Sequence, residues 1–248
     1  VLVTTFESAK KGNYTVCLKK TRPAVDNLHL TGAFLRGEDV PKPFSHRFVS
    51  SDLYKVMEGA AYSLALDRDD ELEAEMDQLI QIIGQAQKGD GYLYVAHICG
   101  IPHPSEMGET PYSWVVHSHE LYNMGHMYEG AVAYFEATGK GEWLKIAEKS
   151  AQHINKVFFE GDISYNDGTP VNQAPGHQEI ELALCRLYRV TANRLYLEMA
   201  RKFLEIRGRT YRPEGEDVMS PTYAQQHKPV KEQSQAVGHA VRAAYMYA

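Results

Sequence analysis

Residues 136–149 read EATGKGEWLKIAEK and residues 189–202 read RVTANRLYLEMARK. The two strings align Thr138 with Thr191, Trp143 with Tyr196, Leu144 with Leu197 and Ala147 with Ala200, at a constant offset of 53 residues. In each copy apolar residues recur at helical spacing on both sides of a short turn, which predicts helix, turn, helix. A helical hairpin cannot bury its own apolar stripe and must stack on neighbours. Outward from these two hairpins the spacing predicts helices at about 51–66, 70–87, 118–138, 141–157, 177–191, 194–207 and 233–248. Strand-like alternation is nearly absent, so the expected class is all-α, with 1–248 as one domain.

The connections are of two kinds. Turns within a hairpin are short, whereas those between hairpins are long and rich in Gly, Pro and aromatics, as in GDGYLYVAHICGIPHPSEMGETPYSW (89–114), GDISYNDGTPVNQAPG (161–176) and RGRTYRPEGEDVMSPTYAQQHKPV (207–230). Long loops of this kind usually carry function. Each precedes a predicted helix start that bears histidine: HSHELYNMGH (117–126), APGHQEIELAL (174–184) and EQSQAVGHAVRA (232–243). Wound at 100° per residue, the first puts His119, Tyr122, His126 and Glu129 on one face, opposite Leu121, Met124, Tyr128 and Val132. The third does the same with Gln235, His239 and Arg242. Hairpins with polar inner faces close into an α/α toroid or extend as a solenoid, and polar groups facing a common centre favour the toroid. About four hairpins are expected, and AAYMYA (243–248) carries no cap, Gly or Pro, so its helix is expected to lead into another.

Composition narrows the function classes. At 248 residues with 44% hydrophobic content the chain can bury a substantial core. Its 26 basic and 32 acidic residues are interspersed, with no basic stripe for nucleic acid. No apolar run is long enough for a membrane span, and VLVTTFESAKKGNYTV (1–16) has no signal-peptide pattern. The chain also begins without Met, which leaves room for an upstream targeting segment. A soluble protein, cytoplasmic or periplasmic, is expected, and a homodimer stays open. The acidic run DRDDELEAEMD (67–77) reads as a solvated helix face with Leu72 and Met76 inward. Cys17, Cys99 and Cys185 form no paired motif and read as buried thiols.

Each candidate residue carries a plainer reading beside the functional one. His119 and His126 lie two helical turns apart, about 10 Å, which suits pocket lining better than shared metal ligation. His177 follows Pro175 and Gly176, where Glu179 and Glu181 complement the helix dipole; a neutral imidazole aimed at a ligand is the alternative. Arg242 either binds a carboxylate or pairs with a glutamate. Asp52 is either an acid of the first helical turn or a site residue. Tyr92, Tyr94, Tyr112 and Trp114 either stack on sugar faces or anchor their loops. No pair of carboxylates is placed to flank a glycosidic bond, and there is no GxSxG, P-loop or dinucleotide fingerprint.

The strings SHELYNMGHMYEGAVAYFEATGK (118–140), PGHQEIELALCRLYRVTANRLYLEMARKFLEIRG (175–208) and HKPVKEQSQAVGHAVRAAYMY (227–247) resemble the N-terminal part of glycoside hydrolase family 127, the β-L-arabinofuranosidases. SDLYKVMEGAAYSLA (51–65) and GDGYLY (89–94) are similar to the same family's earlier helix and loop. The resemblance implies an (α/α)6 barrel followed by β-sandwich domains, incomplete in this chain, and retaining hydrolysis of β-L-arabinofuranosides from plant glycans. It implies zinc as cofactor, held by cysteines and a glutamate around a cysteine nucleophile, with a glutamate acid/base. The same resemblance puts these groups beyond residue 248, so neither catalytic residues nor metal ligands are assigned within the chain. What it carries over is a sugar-binding wall of His119, His177 and His239, with His126, Asp52 and Tyr92 as weaker candidates. Another toroid enzyme, such as a sugar epimerase or a hydrolase for a different pectic sugar, or a helical-repeat binding scaffold, are the alternatives.

Overall fold

The computed structural model describes residues 13–44, 46–101, 104–212 and 219–248. Most of the N-terminal stretch read for a signal peptide lies outside the described residues, as do 102–103 and 213–218 of the long loops. Eight helices of eight residues or more occur among the described residues: α1 (Asn13–Leu35), α2 (Val49–Leu66), α3 (Asp70–Ala86), α4 (Glu120–Thr138), α5 (Glu142–Asn155), α6 (Ile180–Thr191), α7 (Arg194–Ile206) and α8 (Ala240–Tyr247). Extended pairing among them amounts to an isolated bridge, Asp162 with Tyr165. No helix is long and apolar enough to cross a membrane.

The 53-residue repeat is reproduced atom by atom at its turn. The Thr138 hydroxyl donates to Tyr134 O at 2.7 Å and accepts from Lys140 N at 3.1 Å. Thr191 does the same with Leu187 O at 2.8 Å and Asn193 N at 3.2 Å. The next residue in each copy is left-handed, Gly139 at φ 74° and Ala192 at φ 55°. Each donates its amide to the carbonyl four residues back, at 2.8 Å in both, which closes the helix with an αL cap. Trp143 and Tyr196, the aligned aromatics that follow, are both fully buried.

The other elements follow the same logic, with one that the sequence pattern hides. In α3, Asp69 caps the amides of Glu71 and Leu72 at 3.1 and 3.0 Å, and Leu72, Met76, Leu79, Ile80 and Ile83 are buried behind the acidic face. The acidic run is therefore the solvated face expected of it. No helix was placed at α1 from the sequence; Pro23 lies within it and costs one backbone hydrogen bond. Packing overrides that penalty: α1 lies against α2 and α3, burying Ala24, Val25, Leu28 and Ala33 with Pro23 exposed.

Three helix starts need correction. α4 begins at Glu120 rather than 118, because His119 is left-handed at φ 58°. α6 begins at Ile180 rather than 177, after an extended Glu179 at φ −178°. α8 begins at Ala240 rather than 233, because Gly238 at φ 75° breaks the path. Consequently His119 does not share a helix face with His126 and Glu129, and Gln235 lies exposed outside α8.

The chain divides into two compact units. One takes the described residues through Ile101 with His126–Ser150, and its core includes Tyr54, Met57, Met76, Tyr128 and Trp143. The other takes those between Pro102 and Gly125 with Ala151–Ala248; there α6 packs on α7 and α8, around Phe158, Leu187, Tyr196 and Phe203. The repeated turn supplies a test. Ala192→Gly should stabilise the protein by about 1 kcal/mol and Gly139→Ala should destabilise it by about as much, since only glycine takes the left-handed conformation without strain. Urea unfolding midpoints that move in the opposite sense would refute the shared cap.

Candidate functional site

The second unit gathers the three histidines of the predicted wall, each just before a helix rather than on one. His119 precedes α4, and its Nδ1 lies 2.7 Å from the carbonyl of His117. His177 stands in the loop before α6, its Nδ1 2.6 Å from the carbonyl of Gln178. A carbonyl only accepts, so Nδ1 carries the hydrogen in both rings, and in the neutral form Nε2 is the acceptor. His239 has the opposite arrangement. It is the N-cap of α8, and its Nδ1 accepts from the amide of Arg242 at 3.4 Å, which leaves the hydrogen on Nε2.

Aromatic rings pack around the first two. His119 and His177 have centroids 6.0 Å apart, and Tyr122 touches both, at 5.4 Å edge-on to His119 and 4.5 Å from His177. Tyr245 of α8 closes on His177 from its own side at 5.4 Å, also edge-on. His239 packs against Tyr223 at 5.1 Å. Its link to the other two is indirect and runs through Arg242, whose Nη1 donates to the carbonyl of Gly176 at 3.0 Å.

Buried amides and one ion pair hold these loops. Glu120 accepts from the Tyr112 amide at 3.1 and 3.2 Å and from the Ser118 hydroxyl at 2.9 Å, so it draws the loop before α4 into the strained turn at His119. The Gln225 side-chain NH2 is shared among the carbonyls of Tyr223, Val237 and His239. Gln226 reaches the carbonyls of Ala174 and Pro175, and Gln178 donates to Gln225 Oε1 at 2.9 Å. Beneath them Arg207, with no exposed surface, donates to Glu181 at 2.7 Å and to the Ala224 carbonyl at 3.2 Å. Glu181 was expected to complement the helix dipole; its buried partner Arg207 was not anticipated. A signal for it exists in the sequence, because Arg207 continues the apolar stripe Tyr196, Met199, Ala200, Phe203.

The weaker candidates lie in the first unit. Asp52 is exposed in the first turn of α2. Tyr92 is buried, its hydroxyl 2.9 Å from His97 Nδ1, and Tyr94 donates to the carbonyl of Arg47, so both anchor their loop. His126 is buried beside Glu58 and Glu129, with one ligand atom from each lying within 4.8 Å of the others. The Tyr62 hydroxyl donates to Glu58 at 2.8 Å. One imidazole and two carboxylates form a donor set that could hold a divalent cation, where no metal ligand had been assigned.

Residues 7–248 match the β-L-arabinofuranosidase family, GH127 catalytic domain. The chain belongs to that family. It is 37% identical over 219 residues to a non-reducing end β-L-arabinofuranosidase of Bifidobacterium longum subsp. longum, covering 80% of this chain and 31% of that protein. A solved GH127 β-arabinofuranosidase superimposes with a TM-score of 0.84 at 36% identity, covering 99% of this chain and 37% of the other. The GH127 β-L-arabinofuranosidase of Geobacillus stearothermophilus T6 gives a TM-score of 0.80 at 35% identity, covering 99% and 40%. The chain thus spans about a third to two-fifths of the length of these relatives. Its fold class is that of the family, an all-α toroid.

The GH127 resemblance implies a cysteine-held zinc, and the residues described here do not fit one. Cys99 is buried with its sulfur 3.5 Å from the Thr31 hydroxyl, and burial pushes its thiol up; burial does the same to the half-buried Cys185. Cys17 is half-buried too, so of the three only Cys99 is the buried thiol expected. None joins Glu58, His126 and Glu129, the group of three potential ligands found among the described residues. Within the second unit the decisive interaction is Arg207 with Glu181. Arg207→Met or Glu181→Leu alone should cost about 3–5 kcal/mol, and the double substitution much less, because each single change strands a buried charge. Chemical denaturation of the three variants measures this, and equal, additive losses would contradict it.

Proposed function

We propose that this chain forms the sugar-binding wall of a β-L-arabinofuranosidase that removes terminal arabinofuranose from plant-derived glycans with retention of configuration. Residues 1–248 are, on this reading, one portion of an (α/α)6 barrel. The observation that carries the proposal is the hydrogen-bonding pattern of the wall. His119 and His177 present Nε2 acceptors, His239 presents an Nε2 donor, and tyrosine rings flank them. Sugar hydroxyls both donate and accept, so a mixed set of neutral groups beside aromatic faces suits them. Family membership and the name of the Bifidobacterium relative support the choice of sugar.

In this role the histidines bind and orient rather than cleave. His119 and His177 take hydroxyl hydrogens while their Nδ1 atoms stay tied to backbone carbonyls, so ring rotation is blocked and the acceptor direction is set before substrate arrives. Zinc bound by the full-length enzyme would supply a deprotonated cysteine as nucleophile; we place its ligands and the acid/base outside the residues described here.

The test uses the full-length enzyme with a chromogenic β-L-arabinofuranoside. His177→Ala should raise KM about tenfold or more, the worth of one well-made hydrogen bond or slightly over, with zinc content unchanged. Loss of zinc together with an unchanged KM would overturn the assignment.

A further inference from the structure

We propose that Arg242 is the positioning residue that sets the three histidines relative to one another; the inference rests on the reading of those histidines as the sugar wall. Arg242 is 6% exposed, and its contacts run directly to the His177 and His239 segments. Toward His177, its Nη1 donates to the carbonyl of Gly176 at 3.0 Å, so the peptide that joins Gly176 to His177 is held by the guanidinium. Toward His239, its own amide donates to the Nδ1 of that ring, and its guanidinium lies 4.9 Å over Tyr223, the ring that packs on His239 at 5.1 Å. The same Nη1 also meets Met219 Sδ at 2.7 Å.

The third segment is reached through Gly176. A side chain there would overlap the carbonyl oxygen of Val116, three residues before His119. The Gly176 backbone therefore lies flat against the strand of chain leading to His119, while its carbonyl faces Arg242. One peptide group is pressed by the His119 segment and tethered by the α8 arginine, and the next residue is His177. The three imidazoles sit on three separate stretches of chain, and this junction is where those stretches meet.

Arginine suits the position for two reasons. Its planar guanidinium can stack on Tyr223 and donate in its plane to the Gly176 carbonyl at the same time, which a lysine ammonium cannot do. Its rigid fork of donors is also pre-organised, so less side-chain freedom is lost per hydrogen bond formed than with lysine.

A double-mutant cycle in the full-length enzyme tests this. Arg242→Met keeps the apolar stem and removes the donors; it should raise KM for the chromogenic arabinofuranoside about tenfold while kcat changes by less than about threefold. Arg242→Lys, which can still reach one carbonyl, should fall between. Because Arg242 acts through the histidines, Arg242→Met combined with His177→Ala should leave KM within about threefold of His177→Ala alone. The surface substitution Arg201→Ala, at an exposed arginine paired with Glu198 and Glu205, should leave KM and kcat unchanged. Should Arg242→Met fail to fold, the same cycle is read with Arg242→Lys. If His177→Ala alone leaves KM unchanged, the sugar wall fails and the positioning role with it. If His177→Ala raises KM but the two effects multiply, the wall stands and the role of Arg242 is refuted.

Discussion

The buried pair of Arg207 and Glu181 is the constraint on which the second unit depends. Taking both charges out of water costs several kcal/mol per ion, and the interior returns that cost only when the geometry is close and the remaining donors are used. The contact is close, at 2.7 Å, and the second terminal nitrogen bonds the Ala224 carbonyl, while Nε stays buried without a hydrogen-bond partner. The pair therefore ties the end of α7 to the start of α6 and, through Ala224, to the stretch that carries Gln225 and Gln226. Those two glutamines in turn hold His239 by its carbonyl and the Ala174–Pro175 peptides ahead of His177. One ion pair thus fixes the base of two histidine segments, without itself facing a ligand.

Above that pair the network changes character. Gln178, Gln225 and Gln226 supply most of the contacts among the loops, and amides do not titrate. The proposed sugar wall would gain from such a frame, because hydrogen-bonded amides hold their geometry without depending on charge.

Much of this was legible in the sequence where local chemistry governs it. The repeat predicted both hairpin turns, and the Thr138 and Thr191 bonds, the left-handed residues after them and the buried Trp143 and Tyr196 follow from it. The helix starts were misplaced because helical periodicity continues through residues that backbone conformation removes from the helix. His119 is left-handed without being glycine, a strained state that only the surrounding contacts impose. Arg207 and Glu58 were missed for a shared reason: each sits on a buried stripe, where a charge signals a partner from another segment, and the identity of that partner is a tertiary fact. Helix α1 was not placed; the local cost of Pro23 is visible in sequence while the packing that offsets it is not.

The corrected helix starts change what the histidines can do. On a helix face, an imidazole's Nδ1 would meet side chains or solvent, and either tautomer would serve. Placed one to three residues ahead of a helix, His119 and His177 find main-chain carbonyls within 2.7 Å, and His239 finds a main-chain amide of the first turn. The backbone then chooses the tautomer. Two of the rings are made acceptors and one a donor by chain geometry alone, with no ionisable neighbour required. A left-handed residue at 119 costs of order 1 kcal/mol, and positions 176 and 238 are restricted to glycine because a side chain there would overlap the carbonyls of Val116 and Thr222. Those constraints fit the proposed wall, which would present fixed, neutral and opposite hydrogen-bonding groups to hydroxyls.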